Sequence, residues 1–343
     1  MSSHDPGRAD ASASAGTLPA APLAVRISPA DVGRRVTVRR RIDGSTLSDV
    51  VGHLVSWTGG WTGGLVVRRR DGSTADVPAA DVVAAKVVPP ELSAEALQTV
   101  AETGWPPEET ASLGDWTLRA TGGVTGRANS VRVAGRPGVP VADALAAVHR
   151  WYAVRALPPL VQVPVPSAYD DDLDALGWAV ARRTTLLTAA TADVLARAGD
   201  RPATGVVLSR TPAPAPEWLT LVEPDLDPGA LARILLRPRE VVFVEARDAA
   251  TGALLGAGRA SAAPSAVGRW AGVTSIMTAP AARRRGVATR VVAELAAWAE
   301  ESGCPGTYLQ VLGSNEAALS LYAGLGFGLH HRYEYRSPGP VAP

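Results

Sequence analysis

The chain has 343 residues, which is enough for two or three domains. Its 46% hydrophobic and 20% charged residues are typical of a globular protein, and a net charge of +1 argues against a general polyanion binder. The single cysteine, Cys304, excludes an internal disulfide framework and a cysteine-rich zinc site. Residues 1–22 lack a signal-peptide core and predict a disordered leader. No stretch approaches the length of a membrane helix, so we expect a soluble, cytoplasmic protein.

Residues 23–89 contain short strand-like runs that are broken by Gly, Asp and Pro, which predicts a small SH3-like β-barrel. Arginine runs at positions 39–41 and 68–70 leave a nucleic-acid-binding role open. We favour a simpler interpretation, in which these arginines lie on the solvent side of an edge strand and prevent aggregation. Nearby aspartates offset their charge.

Residues 90–205 and 206–337 share one mixed α/β pattern, which indicates two copies of a unit. The first and second stretches match at an offset that drifts only from 147 to 149 residues. The matching pairs are Trp151 with Trp298, Gln162 with Gln310, Trp178 with Phe327, and Arg183 with Arg332. The two copies differ before their long helix, where the first has "GRPGVPVAD" and the second has "RRRGVAT". Prolines remove backbone donors, so we expect only the second copy to bind an anion there.

The stretch "VTSIMTAPAARRRGVATRVV" predicts a strand, a loop and a helix that begins near Gly286. The first turn of a helix leaves backbone N–H groups unpaired, and the helix dipole favours an anion there. Gly286 allows the chain to approach phosphates closely, and Ala288 keeps that approach open. The spacing matches neither a P-loop nor a dinucleotide-binding turn.

This loop resembles the acyl-CoA-binding motif of the GCN5-related N-acetyltransferases (GNAT family), [QR]-x-x-G-x-[GA], with Arg283, Gly286 and Ala288 at the motif positions. Residues 315–327, "NEAALSLYAGLGF", resemble the C-terminal motif of the same family. The resemblance implies a tandem acyl-CoA N-acyltransferase fold with a mixed central sheet. In that fold residues 206–337 are the catalytic copy, residues 90–205 a degenerate copy and residues 338–343 a tail.

The resemblance also implies acetyl-CoA as co-substrate, no metal, and direct transfer of an acetyl group from the thioester to a primary amine. The implied CoA-binding residues are Ile276, Met277 and Thr278 for the pantetheine arm, Arg283, Arg284, Arg285, Gly286, Val287, Ala288 and Thr289 for the pyrophosphate, and Asn315 near the thioester. Tyr322 stands where the family has its general acid. The alternatives are a core aromatic for Tyr322 and a helix N-cap for Asn315.

The general base is open, because the strand before the loop carries no carboxylate. Glu245 on the neighbouring strand is one candidate, and a water relay or a simple surface charge are the alternatives. We expect Cys304 to be structural. His330 and His331 are adjacent on the last predicted strand and should point to opposite faces, which disfavours a shared metal.

The acceptor is predicted from the stretch "LGDWTLRATGGVTGRANSV", whose Arg127, Asn129 and Ser130 lie in a glycine-rich context suited to a ligand loop. As a whole the chain resembles two-copy acetyltransferases with a small N-terminal barrel, some of which are N-acetylglutamate synthases. Glutamate would need arginine partners, for which Arg127, Arg259 or Arg269 are available. The alternatives are a protein or peptide N-acetyltransferase and a non-catalytic acyl-CoA sensor or nucleic-acid-binding protein. We expect no membrane partner, and the oligomeric state is open.

Overall fold

The computed structural model describes residues 25–43, 46–58, 63–69, 71–88, 92–199 and 205–339. The expected leader and the last four residues of the expected tail lie outside these ranges. The chain divides into two compact units, Met1–Val87 and Val88–Pro343. Among the described helices, none is long and apolar enough to cross a membrane.

The first unit is a six-stranded sheet whose strands run in the order β1-β6-β2-β3-β4-β5. The strands are β1 (Val25–Arg26), β2 (Arg35–Asp43), β3 (Thr46–Trp57), β4 (Gly64–Arg68), β5 (Thr74–Pro78) and β6 (Val82–Val87). Alternate residues such as Val36 and Val38 of β2, and Leu65 and Val67 of β4, are buried, whereas their neighbours are more exposed. This two-residue period is what a sheet with one buried face requires.

We expected the arginine runs to lie on an edge strand, but the two strands that carry arginines of these runs, β2 and β4, lie inside the sheet. β2 lies between β6 and β3, and β4 lies between β3 and β5. Part of the arginine charge is nevertheless offset, because Arg39 of β2 forms a bidentate ion pair with Asp49 of β3. Both N–O distances are 2.8 Å. Exposed pairs of this kind contribute little to stability. The pairing disfavours a nucleic-acid surface at this position, since the guanidinium is already occupied.

The second unit is built on one eleven-stranded sheet. Its strands are β7 (Glu109–Leu113), β8 (Trp116–Ala120), β9 (Val131–Arg132), β10 (Val161–Val165), β11 (Trp178–Ala190), β12 (Val206–Thr211), β13 (Val241–Asp248), β14 (Leu254–Ser265), β15 (Gly268–Thr278), β16 (Gly306–Leu312) and β17 (Gly328–Pro338). The described helices are α1 (Ala94–Thr103), α2 (Val141–Ala153), α3 (Asp170–Ala175), α4 (Thr191–Ala198), α5 (Pro216–Val222), α6 (Pro228–Leu235), α7 (Val287–Glu301) and α8 (Glu316–Gly324).

The strand order of this sheet is β12-β13-β14-β15-β16-β11-β17-β10-β9-β8-β7. The last strand of the first half (92–199), β11, lies beside β16 of the second half (205–339), and β17 of the second half lies beside β10 of the first. β11 and β17 also pair with each other at the centre. Each half therefore contains the final strand of the other half.

The arrangement is the same on both sides of this centre, in agreement with the internal repeat. β15 pairs in parallel with β16, and β9 pairs in parallel with β10. An offset of 149 residues maps Thr184 onto Tyr333, and these two residues face each other across the central pair. A pseudo-two-fold axis consequently passes close to that pair.

Two glycines of β14 determine how closely α7 packs on the sheet. A Cβ atom on Gly258 would lie 2.4 Å from Cγ1 of Val291, and one on Gly256 would lie 2.6 Å from Cγ1 of Val287. Both valines are fully buried in the apolar cluster under α7. Residues 252–258, "GALLGAG", thus allow α7 to pack closely on β14. This close packing determines where the N-terminus of α7 lies.

The helix ends agree with the sequence signals where capping residues are strong. Asp227 accepts a hydrogen bond from the backbone N–H of Ala230 at 2.7 Å, and Gly104 directly follows α1. The proline-rich segment 211–218 contains the start of α5 at Pro216. The sequence analysis missed α4 and β12, which are short and carry weak signals.

Candidate active site

The loop before α7 has the backbone that an anion site requires. Gly286 is the N-cap of α7 with a left-handed backbone (φ 77°, ψ 5°), and Arg284 also has a positive φ of 63°. The first intrahelical hydrogen bond runs from the N–H of Arg290 to the carbonyl of Gly286 at 3.2 Å. The amides of residues 287–289 therefore precede the first helical donor and are available to a ligand.

The space around this loop is open. A Cβ atom on Gly286 would have nothing within 4 Å, and the side chains of residues 283–285 are exposed. Val287, by contrast, is buried and anchors the first turn to the sheet. The anchored turn and the open loop thus place backbone N–H groups beside three exposed arginines, an arrangement that favours an anion.

The strands next to this loop separate. β15 and β16 pair only from Trp270–Gly306 to Val273–Leu309, and beyond that register they diverge. Ser275 has a positive φ of 55° next to a bulge in the β14–β15 pairing. The bulge turns the end of β15 away from β16. The main chain of residues 274–278 consequently borders a gap on the β16 side, while Thr278 still pairs with Gly256 of β14.

A cavity of about 540 Å³ opens at this gap. Its lining comes from both halves of the unit: Thr274 and Ser275 of β15, residues 310–312 of β16, residues 123 and 125–127, residues 182 and 184 of β11, Tyr333 and Tyr335 of β17, Trp105, and residues 223, 225 and 226. Because β11 and the 123–127 loop belong to the first half, the first half supplies part of the cavity wall.

Two arginines of the cavity wall form no ion pair with any other described residue. Arg127 lies over the ring of Trp105 at 5.2 Å, and Arg182 lies over the ring of Tyr335 at 4.2 Å. Within the described residues, no carboxylate comes within 4.0 Å of either guanidinium. Both remain available for an anionic ligand. Arg127 is one of the residues that the sequence predicted, whereas Arg182 was missed because nothing distinguishes it within a strand.

Asn129, another predicted acceptor-binding residue, bonds to the backbone of the neighbouring loop. Asn129 accepts from the N–H groups of Thr121 and Gly123 and donates to the carbonyls of Val124 and Thr125, so its amide has no capacity left. Asn129 therefore shapes the loop that carries Arg127 and, contrary to the sequence expectation, does not line the cavity.

Ser130 is fully buried, and its hydroxyl accepts a hydrogen bond from Arg119 at 2.9 Å. Arg259 and Arg269 are also engaged elsewhere. Arg259 is fully buried and donates to the carbonyls of Leu235 and Gly104, and burial lowers its pKa to about 9. Arg269 forms an ion pair with Glu240 at 2.5 Å. Ser130, Arg259 and Arg269 therefore do not line the cavity, which corrects the predicted acceptor site.

Tyr322 lies in the apolar cluster under α7, with 7% of its surface exposed. Its ring meets that of Phe327 edge to face at 5.8 Å. Burial raises the pKa of its phenol to about 12, so the hydroxyl keeps its proton near neutral pH. Both sequence interpretations of Tyr322 remain compatible with this position. Asn315 caps α8 by accepting from the N–H of Ala318 at 3.1 Å.

The structure does not bring Glu245 to the cavity. Its buried carboxylate lies 2.8 Å from Nε of Arg247, which also pairs with Glu217. Glu245 is therefore engaged with an arginine and does not line the cavity. Glu223 and Asp225, in the segment between α5 and α6, line the cavity instead. Partial desolvation, and secondly the charge of Asp225, raise the pKa of Glu223. Sequence reasoning missed Glu223, because it lies far from the motifs in the chain.

His330 and His331 do not point to opposite faces. The β11–β17 register shifts next to them, and their Nδ1 atoms come within 2.7 Å of each other. His330 Nε2 is 3.0 Å from the carbonyl of Leu92, and His331 Nε2 is 2.9 Å from the amide nitrogen of Gln98. The described residues contain no group of ligands for a metal. Cys304 is a buried free thiol whose pKa is raised by burial.

A split parallel strand pair, a glycine-started helix beside it and a cavity at the split define a GNAT-type N-acetyltransferase. The chain belongs to the family described as "Probable histone acetyltransferase Rv0428c C-terminal", whose model matches residues 94–336. A second model, described as "Rv0428c N-terminal Sm-like domain", matches residues 30–86. A small β-rich domain is thereby confirmed for the first unit, whereas the SH3-like barrel stays a prediction.

Individual relatives agree with this assignment. The chain is 26% identical over 246 residues to "Uncharacterized N-acetyltransferase YobR" of Bacillus subtilis (strain 168), a match that covers 70% of this chain and 96% of that protein. The fold is similar to that of a GCN5-related N-acetyltransferase from Kribbella flavida, with a TM-score of 0.56 and 17% identity over 74% of this chain and 98% of that one. A functionally unknown protein from Staphylococcus epidermidis has a TM-score of 0.50 at 9% identity, over 67% of this chain and 95% of that one.

Proposed function

We propose that the protein is an acetyl-CoA-dependent N-acetyltransferase whose acceptor is a small amine that carries a carboxylate, with L-glutamate as the candidate. Residues 206–337 form the catalytic copy, and residues 90–205 form a copy that supports it. The observation that carries the proposal is the presence of Arg127 and Arg182, neither of which forms an ion pair with another described residue, in a cavity that opens between β15 and β16.

The donor site fits acetyl-CoA. The pyrophosphate would be held by the amides of residues 287–289, with the exposed arginines 283–285 around it, since the open space at Gly286 leaves room for it. The main chain of residues 276–278 would pair with the pantetheine arm along the gap. When bound, acetyl-CoA supplies an acetyl group activated as a thioester.

The acceptor amine must lose a proton before it can act as a nucleophile. For a lysine amine, with a pKa of about 10.4, this costs about 4.6 kcal/mol at pH 7. Glu223 is the proton acceptor we assign, because its raised pKa brings the carboxylate closer to neutral pH and it lines the cavity. Tyr322 would be the general acid for the departing thiolate, as the family resemblance implies, and its buried phenol stays protonated near neutral pH.

A second candidate acceptor is a lysine-containing peptide. Glu223 and Asp225 lie together at the cavity and would attract a cationic side chain. The matching family model carries the words "probable histone acetyltransferase". We place this second, because Arg127 and Arg182, which line the same cavity, would repel such a substrate.

Release of CoA thiol from acetyl-CoA by the full chain separates the two candidates. Turnover with L-glutamate and none with a lysine-containing peptide supports the first. Turnover with the peptide alone would replace it with the second. Binding of acetyl-CoA without turnover of any amine would contradict both.

A further inference from the structure

The two copies allow a residue-by-residue comparison of one position in the sheet. Gln162 on β10 pairs with Tyr335, and Gln310 on β16 pairs with Leu186. Tyr335 and Leu186 are themselves related by the offset of 149 residues that defines the pseudo-two-fold axis. Gln162 and Gln310 therefore occupy equivalent positions, each next to the parallel strand pair of its own half.

In the first half both polar atoms of this glutamine have a hydrogen-bond partner. Gln162 is 3% exposed, and its Oε1 accepts from Nη2 of Arg119 at 2.6 Å. Its Nε2 donates to Oε1 of Gln98 on α1 at 2.9 Å. Gln162 also lines a cavity of about 200 Å³, but its amide nitrogen already has a hydrogen-bond partner.

In the second half the same glutamine is only half occupied. Oε1 of Gln310 accepts from the hydroxyl of Tyr333 at 2.5 Å. Its Nε2 is buried and has no hydrogen-bond partner within the described residues. A buried amide donor without an acceptor is rare and unfavourable, and such a group calls for an explanation. Gln310 is also part of the wall of the 540 Å³ cavity.

Tyr333 fixes which end of the Gln310 amide is free. Burial, and secondly the neighbouring Tyr335, raise the pKa of the Tyr333 phenol, so it stays protonated, and in the structure its hydroxyl donates to Oε1 of Gln310. A donor at this position selects Oε1 as its acceptor and leaves Nε2 for another partner. The amide thus has a defined orientation, which is the preorganisation that a specific site needs.

We propose that Gln310 is a specificity-determining residue of the acceptor site, whose Nε2 donates a hydrogen bond to a carboxylate oxygen of the acceptor, and that Tyr333 is its positioning residue. The carboxylate is the group of choice because Arg127 and Arg182 line the same cavity. This inference rests on the proposed function, since it names the group by which that function selects its substrate.

The decisive variant is Gln310→Glu. Glutamate has the same shape and still accepts from Tyr333, but it replaces the donor with a second anionic oxygen. We expect the KM for L-glutamate to rise at least about tenfold, while the KM for acetyl-CoA and for propylamine, an amine without a carboxylate, changes by less than about twofold. Tyr333→Phe should raise the KM for L-glutamate in the same direction by a smaller factor.

The matched control is Gln162→Glu, at the equivalent position of the other half. It should lower the melting temperature, because it removes the donor to Gln98, and it should leave the KM for L-glutamate unchanged. One result would overturn the inference and leave the proposed function standing: the wild-type enzyme acetylates L-glutamate, and Gln310→Glu has the same KM for L-glutamate as the wild type.

Calorimetric titration of L-glutamate into the CoA-bound protein keeps the inference testable without turnover. Wild-type binding that is lost in Gln310→Glu supports it, even if L-glutamate is not acetylated and the proposed function fails. Absence of binding to the wild-type protein, or equal binding to both proteins, overturns it.

Discussion

Acidification should destabilise the second unit through His331, because a directional hydrogen-bond chain requires this histidine to be neutral. Oε1 of Gln98 accepts from Gln162, so its amide nitrogen must donate to Nε2 of His331. His331 then carries its proton on Nδ1 and donates to His330, which in turn donates from Nε2 to the carbonyl of Leu92. A second proton on either ring would place two donors face to face.

The size of the effect follows from the pKa. Burial, and secondly the charge of His330, lower the pKa of His331 from 6.5 to about 4. At about 1.36 kcal/mol per pH unit this corresponds to about 3.4 kcal/mol, and we take about 2 kcal/mol because the ring is partly exposed. The folded-state pKa is the lower one, so the unfolded chain takes up the proton first. The free energy of unfolding is therefore lost as the pH falls from 6.5 to about 4.

Urea unfolding of the wild-type protein and of His331→Gln at about pH 7 and about pH 4.5 measures this loss. Glutamine offers an acceptor and a donor but does not titrate, so the variant reports the pH dependence of all other groups. We expect the wild type to lose about 2 kcal/mol more than the variant between the two conditions. An equal loss in both proteins would refute the assigned chain of donors and acceptors.

Four further predictions follow from the site. Gly286→Val should weaken acetyl-CoA binding at least about tenfold in calorimetry, because φ of 77° strains a β-branched residue and its side chain occupies the phosphate space; unchanged affinity would mean that the phosphates bind elsewhere. Gly258→Val should destabilise the protein by about 3 kcal/mol or more in thermal unfolding, since its Cβ would lie 2.4 Å from Val291, and a neutral result would contradict the close packing of α7 on β14. Tyr322→Phe should lower kcat about a hundredfold with little change in either KM, and an unaltered kcat would leave Tyr322 a packing residue. Glu223→Gln should lower kcat/KM most below about pH 8, where amines are protonated, and a uniform loss across pH would argue for a binding role instead.

The sequence predicted the parts of this protein whose signals are local. The Gly286 loop and the repeat marked by Gln162 and Gln310 both depend on residues that are close in the chain or periodic along it. These features are set by backbone conformation and helix-end hydrogen bonding, which residue type alone restricts strongly.

The parts that the sequence did not predict depend on contacts between distant segments. Arg182 reaches the cavity only because β11 lies beside β16, and no periodicity states which neighbour a strand will choose. Glu245 was an attractive base until Arg247 occupied it, and Glu223 was unremarkable until the fold placed it opposite the gap. The two histidines came together through a register shift, which the two-residue period of a strand does not anticipate.

The two halves exchange their central strands, so the sheet of the second half depends on a strand of the first half. A polypeptide limited to residues 206–343 would lack β11, and the facing edges of β16 and β17 would present unpaired backbone in the middle of the sheet. Because β11 pairs with both of these edges, we expect the second half to need the first half in order to stay soluble.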